Sequence, residues 1–232
     1  MKTYLKKMLA RKKRIVIYTA ITGNYDDLIM PKHINENCDY ICFTDNPTLV
    51  SDFWQVRIID ETHIDNIRKA RKYKVLPHLY LPEYKYSLWV DANFEIIGDV
   101  EKYIMEFSNH SPMLCIIHPE RDCIYEEALA CINQNKDDKQ IIQKQIKKYS
   151  HKNYPIHNGL IASGVLFRKH NDPNLTKIMN EWWSEIMTFS RRDQLSFNYV
   201  CWDNSFSYDE CQLNCWENRY FKRLPHSQKK ID

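Results

Sequence analysis

Short apolar runs bounded by turn residues recur along this chain, and stretches of helical spacing separate them. Arg14-Ile15-Val16-Ile17-Tyr18-Thr19-Ala20-Ile21 is a β-rich run that ends at the loop signal Thr22-Gly23-Asn24-Tyr25. Cys38 to Thr44 is a second such run, stopped by Asp45-Asn46-Pro47, and Trp54 to Ile59 alternates like a third. From Asp65 to Leu76 the spacing is helical and basic, with Arg68, Lys69, Arg71, Lys72 and Lys74, and Pro77 ends it. Ser87 to Val90 predicts a buried strand, Val100 to Phe107 a short helix, and Met113 to Ile117 another strand. Glu126 to about Tyr149 reads as one or two polar helices, and Gly159 to Phe167 as a strand with a bulge at a glycine. Asp172-Pro173 starts a helix, with Asp as cap and Pro at the first helical position. Its stripe of Ile178, Met179, Trp182, Trp183, Ile186 and Met187 has the spacing of a core face more than of a sugar platform.

Strands that alternate with helices predict an α/β fold: an open, mostly parallel sheet flanked by helices, with its ligand beyond the carboxyl ends of the strands. The polar residues after each strand fall there. No break divides the pattern, so one domain is expected over residues 14–232, after a basic tail at 1–13. A hydrophobic content of 44% with 27% charged residues suits a packed core and excludes disorder. With only four glycines, neither a dinucleotide fingerprint nor a P-loop is present. The net charge of +3 conceals an asymmetry: the first fourteen residues hold seven basic side chains and no acid, leaving the rest at −4. A basic tail on an acidic body predicts a peripheral membrane contact or a solvated arm, and no nucleic-acid groove. Ile15 to Ile21 is too short for an export signal, and no stretch of eighteen apolar residues occurs. A cytoplasmic protein, peripheral at most at the inner membrane face, is therefore expected. The eight scattered cysteines form no C-x-x-C pair and read as free thiols. Cys211 and Cys215 would share a helical face, without the two further ligands a zinc site needs.

The chemistry concentrates at Leu88-Trp89-Val90-Asp91-Ala92-Asn93. A strand leaving a buried sheet would carry Asp91 and Asn93 to its C-terminal end on one side of the backbone. Two hard oxygen ligands so placed suit Mn²⁺ or Mg²⁺ carrying a diphosphate; the plainer alternative is a strand-end turn. Thr19, Thr22 and Tyr25 at the first strand's exit, with Asp45 at the second's, are candidate contacts to a nucleobase and ribose. The basic helix can bring Lys69, Arg71, Lys72 or Lys74 to the diphosphate, although most of its charges are expected to be a solvated face. Asp193 and Gln194 either receive sugar hydroxyls or, for Asp193, cap the helix that follows. His226 is a candidate third metal ligand or a solvated tail residue. His118-Pro119-Glu120-Arg121-Asp122-Cys123-Ile124-Tyr125-Glu126-Glu127 either lines an acceptor pocket or opens a helix.

Five of these segments, in order, resemble the glycosyltransferase-like domain of plant mucilage-related proteins and their bacterial relatives. They are Val16 to Asp26, Tyr40 to Asn46, Leu88 to Asn93, His118 to Glu127, and Arg192-Asp193-Gln194-Leu195-Ser196-Phe197. The resemblance covers about residues 14–227. That family is similar in turn to GT-A glycosyltransferases of the glycogenin and bacterial galactosyltransferase type. The resemblance implies that Asp91, Asn93 and His226 hold the metal, that Gly164 lies on the later glycine-containing strand, and that Asp193 and Gln194 form the Asp-Gln pair. Asn93 departs from the family's second Asp: its carbonyl oxygen ligates without charge, so the ion is held more weakly or only alongside the nucleotide. The glycine and aromatic residues that accompany the family's C-terminal His are absent.

These readings converge on a metal-dependent glycosyltransferase that moves a sugar from a nucleotide-diphosphate donor, UDP-linked, to a glycan or other hydroxyl acceptor in surface polysaccharide synthesis. A non-catalytic nucleotide- or glycan-binding module with a weakened metal site is the alternative. A nucleotidyltransferase fits less well, because the phosphate loop it needs is missing.

Overall fold

The computed structural model describes residues 15–227, so the basic tail at 1–13 lies outside the described residues. The chain forms β1 (Ile15–Ile21), β2 (Cys38–Thr44), β3 (Gln55–Ile58), α1 (Asn66–Val75), α2 (Pro77–Tyr80), β4 (Tyr86–Val90), β5 (Phe94–Ile96) and α3 (Val100–Phe107). It continues through β6 (Met113–Ile117), α4 (Ile124–Asn133), α5 (Lys139–His151), β7 (Ile161–Arg168), α6 (Pro173–Thr188), α7 (Gln194–Asp203), β8 (Asp209–Cys211) and β9 (Phe221–Arg223). The polar stretch after Glu126 is thus two helices. Pro77 does not only stop α1: it occupies the first position of α2, where its missing N–H costs nothing.

A seven-stranded sheet has the order β3-β2-β1-β4-β7-β6-β8, and β5 pairs with β9 in a small second sheet. Strands β1 to β4 are mutually parallel, while β7 runs antiparallel between β4 and β6. This is an α/β architecture with a mostly parallel central sheet flanked by helices, consistent with a single GT-A-like domain. Alternate side chains of β1 enter opposite layers: Val16, Tyr18 and Ala20 join one apolar cluster, and Ile17 and Ile21 the other. A strand covered on both faces needs apolar residues at nearly every position, which explains the continuous runs in the sequence. Trp182 and Trp89 pack in the first cluster and Trp54 in the second, with Trp183 and Trp202 against the first.

The chain proceeds outward from β1 to β3 and then returns to β4 on the other side. Such a reversal opens a crevice at the carboxyl ends of the strands. The antiparallel β7 brings its first residues to the same edge, where the Asp91 N–H donates to the Gly164 carbonyl at 2.8 Å. The β6–β7 register shifts between Cys115 and Ile116, opposite the stretch containing Gly164, so the expected bulge is present. Among the described residues no helix is long and apolar enough to cross a membrane. All eight cysteines are free thiols, and Cys211 and Cys215 lie on β8 and the loop after it, on no helix.

Candidate active site

A cavity of about 330 Å³ opens at this edge of the sheet. Asp91, Asn93, Asp193, Gln194 and His226 all line it, together with residues of the His118 to Glu127 segment. Asp91 and Asn93 do not share a strand, which corrects the geometry expected of them. Strand β4 ends at Val90, and the Phe94 N–H donates to the Asp91 carbonyl at 2.9 Å, closing a tight turn into β5. The turn presents both side chains to the cavity. Gly164 faces it closely: a Cβ there would meet the Phe94 ring at 2.9 Å and Asp91 Oδ2 at 3.6 Å.

The floor is an ionic cluster. Arg71 and Lys74, one turn apart on α1, share a face. Lys74 Nζ lies 2.7 Å from Asp193 Oδ2 and 3.3 Å from Asp91 Oδ1. Arg71 reaches the same two atoms at 3.4 and 3.8 Å. Ser163 donates to Asp193 Oδ2 at 3.0 Å, and the Trp89 indole N–H to Asp91 Oδ1 at 2.6 Å. Burial alone would raise the Asp193 pKa, but Arg71, Lys74 and Arg192 outweigh it and hold the carboxylate well below the usual range. Burial pushes the Lys74 ammonium below its ordinary value, against the pull of the two carboxylates. Asp193 precedes α7 yet makes no capping bond, so its side chain is spent on the cluster.

Among the described residues, Asp193 Oδ1 and Arg192 Nε of this floor are shut from solvent without a hydrogen-bond partner, and Arg71 Nε has only its ion pair with Asp193 Oδ2. Gln194 donates to the Ile161 carbonyl at 2.9 Å and accepts from Arg192 at 3.4 Å. His118 Nδ1 accepts from the Glu120 and Arg121 N–H groups at 3.2 and 3.1 Å, which fixes the turn after β6. Burial lowers its pKa. Arg121 is clamped by Glu127 at 2.7 Å.

The nucleotide-side candidates are placed less uniformly. Thr22 donates its hydroxyl to the Asn66 carbonyl at 2.7 Å, and Asp45 accepts from the Gly23 N–H at 2.9 Å and from Lys69 at 2.6 Å. Thr19 is buried, with an unpartnered hydroxyl. None of Thr19, Thr22, Tyr25, Asp45, Lys69 and Lys72 is on the lining of this cavity; Lys72, one residue beyond Arg71, points about 100° away round the helix, and Glu61 takes its ammonium, which corrects its assignment to the diphosphate. The expectation that most of the α1 charges form a solvated face also fails. All five cations are engaged, Arg68 by Asp65 and the carbonyls of Ile186 and Phe189.

His226 comes 200 residues back to the start of the fold. Its Nδ1 lies 3.0 Å from both carboxylate oxygens of Asp26, and the Tyr25 ring is 4.7 Å from its own. An ionised carboxylate only accepts, so Nδ1 donates and Nε2 is left as the second ring position. Asn93 donates Nδ2 to the Leu224 carbonyl at 2.9 Å, and among the described residues its Oδ1 accepts no hydrogen bond. Asp91 Oδ2 has none either. Two hard oxygens and an imidazole on one cavity thus fit Mn²⁺ or Mg²⁺ in donor type. Among the described residues no three His, Cys, Asp or Glu side chains are grouped to hold an ion by themselves.

A family model described as TOD1/MUCI70, glycosyltransferase-like domain, matches residues 2–229. The chain belongs to this family. The protein named "Probable hexosyltransferase MUCI70" of Arabidopsis thaliana is 24% identical over 215 residues, covering 80% of this chain and 37% of that protein. The chain therefore spans little more than a third of that relative's length. The family is described as glycosyltransferase-like. Trp216 and Arg223, which also line the cavity, were not among the residues that the sequence singled out. An indole in a polar, structureless stretch carries no period to mark it.

Proposed function

We propose that this chain is a metal-dependent hexosyltransferase that uses a UDP-sugar and transfers to a hydroxyl of a glycan in surface polysaccharide synthesis. One observation carries the reading: the turn after β4 gives Asp91 and Asn93 to the cavity floored by Asp193. Asp91 Oδ2, Asn93 Oδ1 and His226 would hold the ion. When bound, the ion supplies counter-charge to the diphosphate as it departs.

The chain's own residues do the rest. Arg71 and Lys74 fix both carboxylates before substrate arrives, so little reorganisation is left to the reaction. Asp193 is held ionised, and its free Oδ1 accepts a donor-sugar hydroxyl. Tyr25 stacks on the base, and Asp45, positioned by Lys69, accepts from the ribose. In transfer, the bond from the anomeric carbon to the phosphate oxygen breaks, its electron pair leaves with the diphosphate, a bond to the acceptor oxygen forms, and the departing diphosphate takes the acceptor hydroxyl's proton.

Thermal unfolding with UDP-sugars, with and without Mn²⁺, tests the reading. At a ligand concentration of 100 Kd the stabilisation is about 2.7 kcal/mol, a rise of roughly 5–10 °C for a domain of this size. The native protein should show that rise only with Mn²⁺, and Asp91→Ala little or none. A shift that ignores both Mn²⁺ and the Asp91→Ala change overturns the metal assignment. Hydrolysis of the bound donor in Mn²⁺ then separates an enzyme from a binding module, which releases no sugar.

A further inference from the structure

Trp216 is the exception among the six tryptophans. The other five belong to the two main apolar clusters or pack against them, whereas Trp216 belongs to neither and stacks on no aromatic ring among the described residues. It is 43% exposed and lines the cavity. An indole facing water gives up a large apolar burial, which a chain tolerates where the face meets a ligand.

Its backbone is nonetheless fixed. The Trp216 N–H donates to Asn214 Oδ1 at 2.8 Å, and its carbonyl accepts from the Arg223 N–H. Arg223 lies opposite Phe94 in the β5–β9 pair, and the next N–H, of Leu224, donates to the Asn93 carbonyl at 2.7 Å. The indole is thus carried by a short hairpin fastened to the turn that holds Asn93. A pyranose has an apolar C–H face and a rim of hydroxyls, so its receptor combines an aromatic plane with convergent polar groups. This cavity has both: the Trp216 face, and the exposed polar side chains of Glu120 and Arg223 on the same lining.

The structure assigns Trp216 as the stacking platform for a pyranose ring of the glycan acceptor. This rests on the transferase reading above. The acceptor, and not the donor sugar, is the occupant because the cavity is graded. Asp193 and Ser163 at its floor are buried, while Trp216, Glu120 and Arg223 at its mouth are exposed. A donor sugar must reach the floor beside its diphosphate, and a glycan chain must leave through the mouth. The site needs no movement of the fold to present the indole.

The experiment compares native protein, Trp216→Phe and Trp216→Ala on a printed array of plant and bacterial glycans, in UDP and Mn²⁺. Titration calorimetry of UDP and UDP-glucose runs alongside, and thermal melting monitors folding. The native protein should bind a subset of glycans. Trp216→Phe should keep most of that signal, and Trp216→Ala should lose about fivefold to tenfold, with UDP and UDP-glucose affinities unchanged. An alanine variant that keeps its glycan signal, a native protein that binds no glycan, or a variant that loses UDP-glucose but not UDP each overturns the acceptor assignment. Native protein that binds neither UDP nor UDP-glucose defeats the transferase reading itself, a separate failure.

Discussion

Lys74 on α1, paired with Asp193 of the cavity floor, and Lys222 on β9, outside the cavity lining, form ion pairs under opposite conditions. Lys74 is wholly enclosed against an Asp193 that is 1% exposed. Lys222 meets Glu217 at 3.0 Å with both side chains open to water. In water such a pair is worth about 0–1 kcal/mol, whereas a buried charge that loses its partner costs several. The floor is therefore intolerant of change and the exposed β9 surface permissive.

The sharpest way to break this contrast is Asp193→Ala. It leaves the Lys74 ammonium buried with Asp91 as its one remaining carboxylate partner among the described residues, and urea unfolding should read a loss of about 3–5 kcal/mol. Lys222→Ala should stay within about 1 kcal/mol. The pH dependence follows the same cluster. Asp193 has a folded-state pKa depressed by Arg71, Lys74 and Arg192. Between its folded and unfolded values the unfolded chain binds more protons, so stability rises with pH there. Its contribution is fully present above the ordinary carboxylate range and is lost as pH falls through that range and below. Unfolding free energies of the native protein should fall steeply below about pH 4, and those of Asp193→Asn less so. Equal slopes would remove Asp193 from the acid response.

An intermediate effect is expected at Gly164. Its alanine variant puts a Cβ into the Phe94 ring, and the ring lies beside the turn that carries Asn93. Overpacking of this kind costs about 1–3 kcal/mol. Because β5 must shift to relieve it, the Mn²⁺-dependent stabilisation by UDP should weaken by more than the fold does. A variant that loses stability yet keeps the full UDP shift would separate Phe94 packing from the metal turn.

How far the sequence reached depends on the range of the interaction. Helix starts were legible because caps act within one turn: Asp172 accepts from the Asn174 and Leu175 N–H groups, and Asp65 from those of Ile67 and Arg68. The buried strands announced themselves by unbroken apolar runs. The direction of β7 did not, since a strand's own residues do not encode whether its neighbour is parallel. Asp91 and Asn93 were found by their types and spacing, but the turn that presents them was visible only once β5 had paired with β9. The pairing of Lys74 with Asp193 joins residues far apart in the chain, so no local pattern could separate Asp193 as a cap from Asp193 as an ionic partner. Lys72 was misplaced for the converse reason: its neighbour Glu61 lies in an irregular loop with no period to reveal it.

The smallest effect should come from Trp216, and its smallness is the informative part. A tryptophan whose ring packs in the core, such as Trp182, costs about 3–5 kcal/mol on truncation to alanine. Trp182 also donates its indole N–H to the Asp193 carbonyl at 2.9 Å, so its loss would disturb the floor as well. Trp216→Ala removes no core contact and no side-chain hydrogen bond among the described residues, and the hairpin is held by backbone groups that the substitution spares. Urea unfolding should register a change within about 0.5 kcal/mol. A larger loss would mean that the indole braces the hairpin from Trp216 to Arg223, and any fall in glycan binding would then follow from a displaced Asn93 turn. A change within that bound, together with weakened glycan binding, ties the indole to the ligand, because a residue that contributes nothing to folding has only its contact with substrate left to lose.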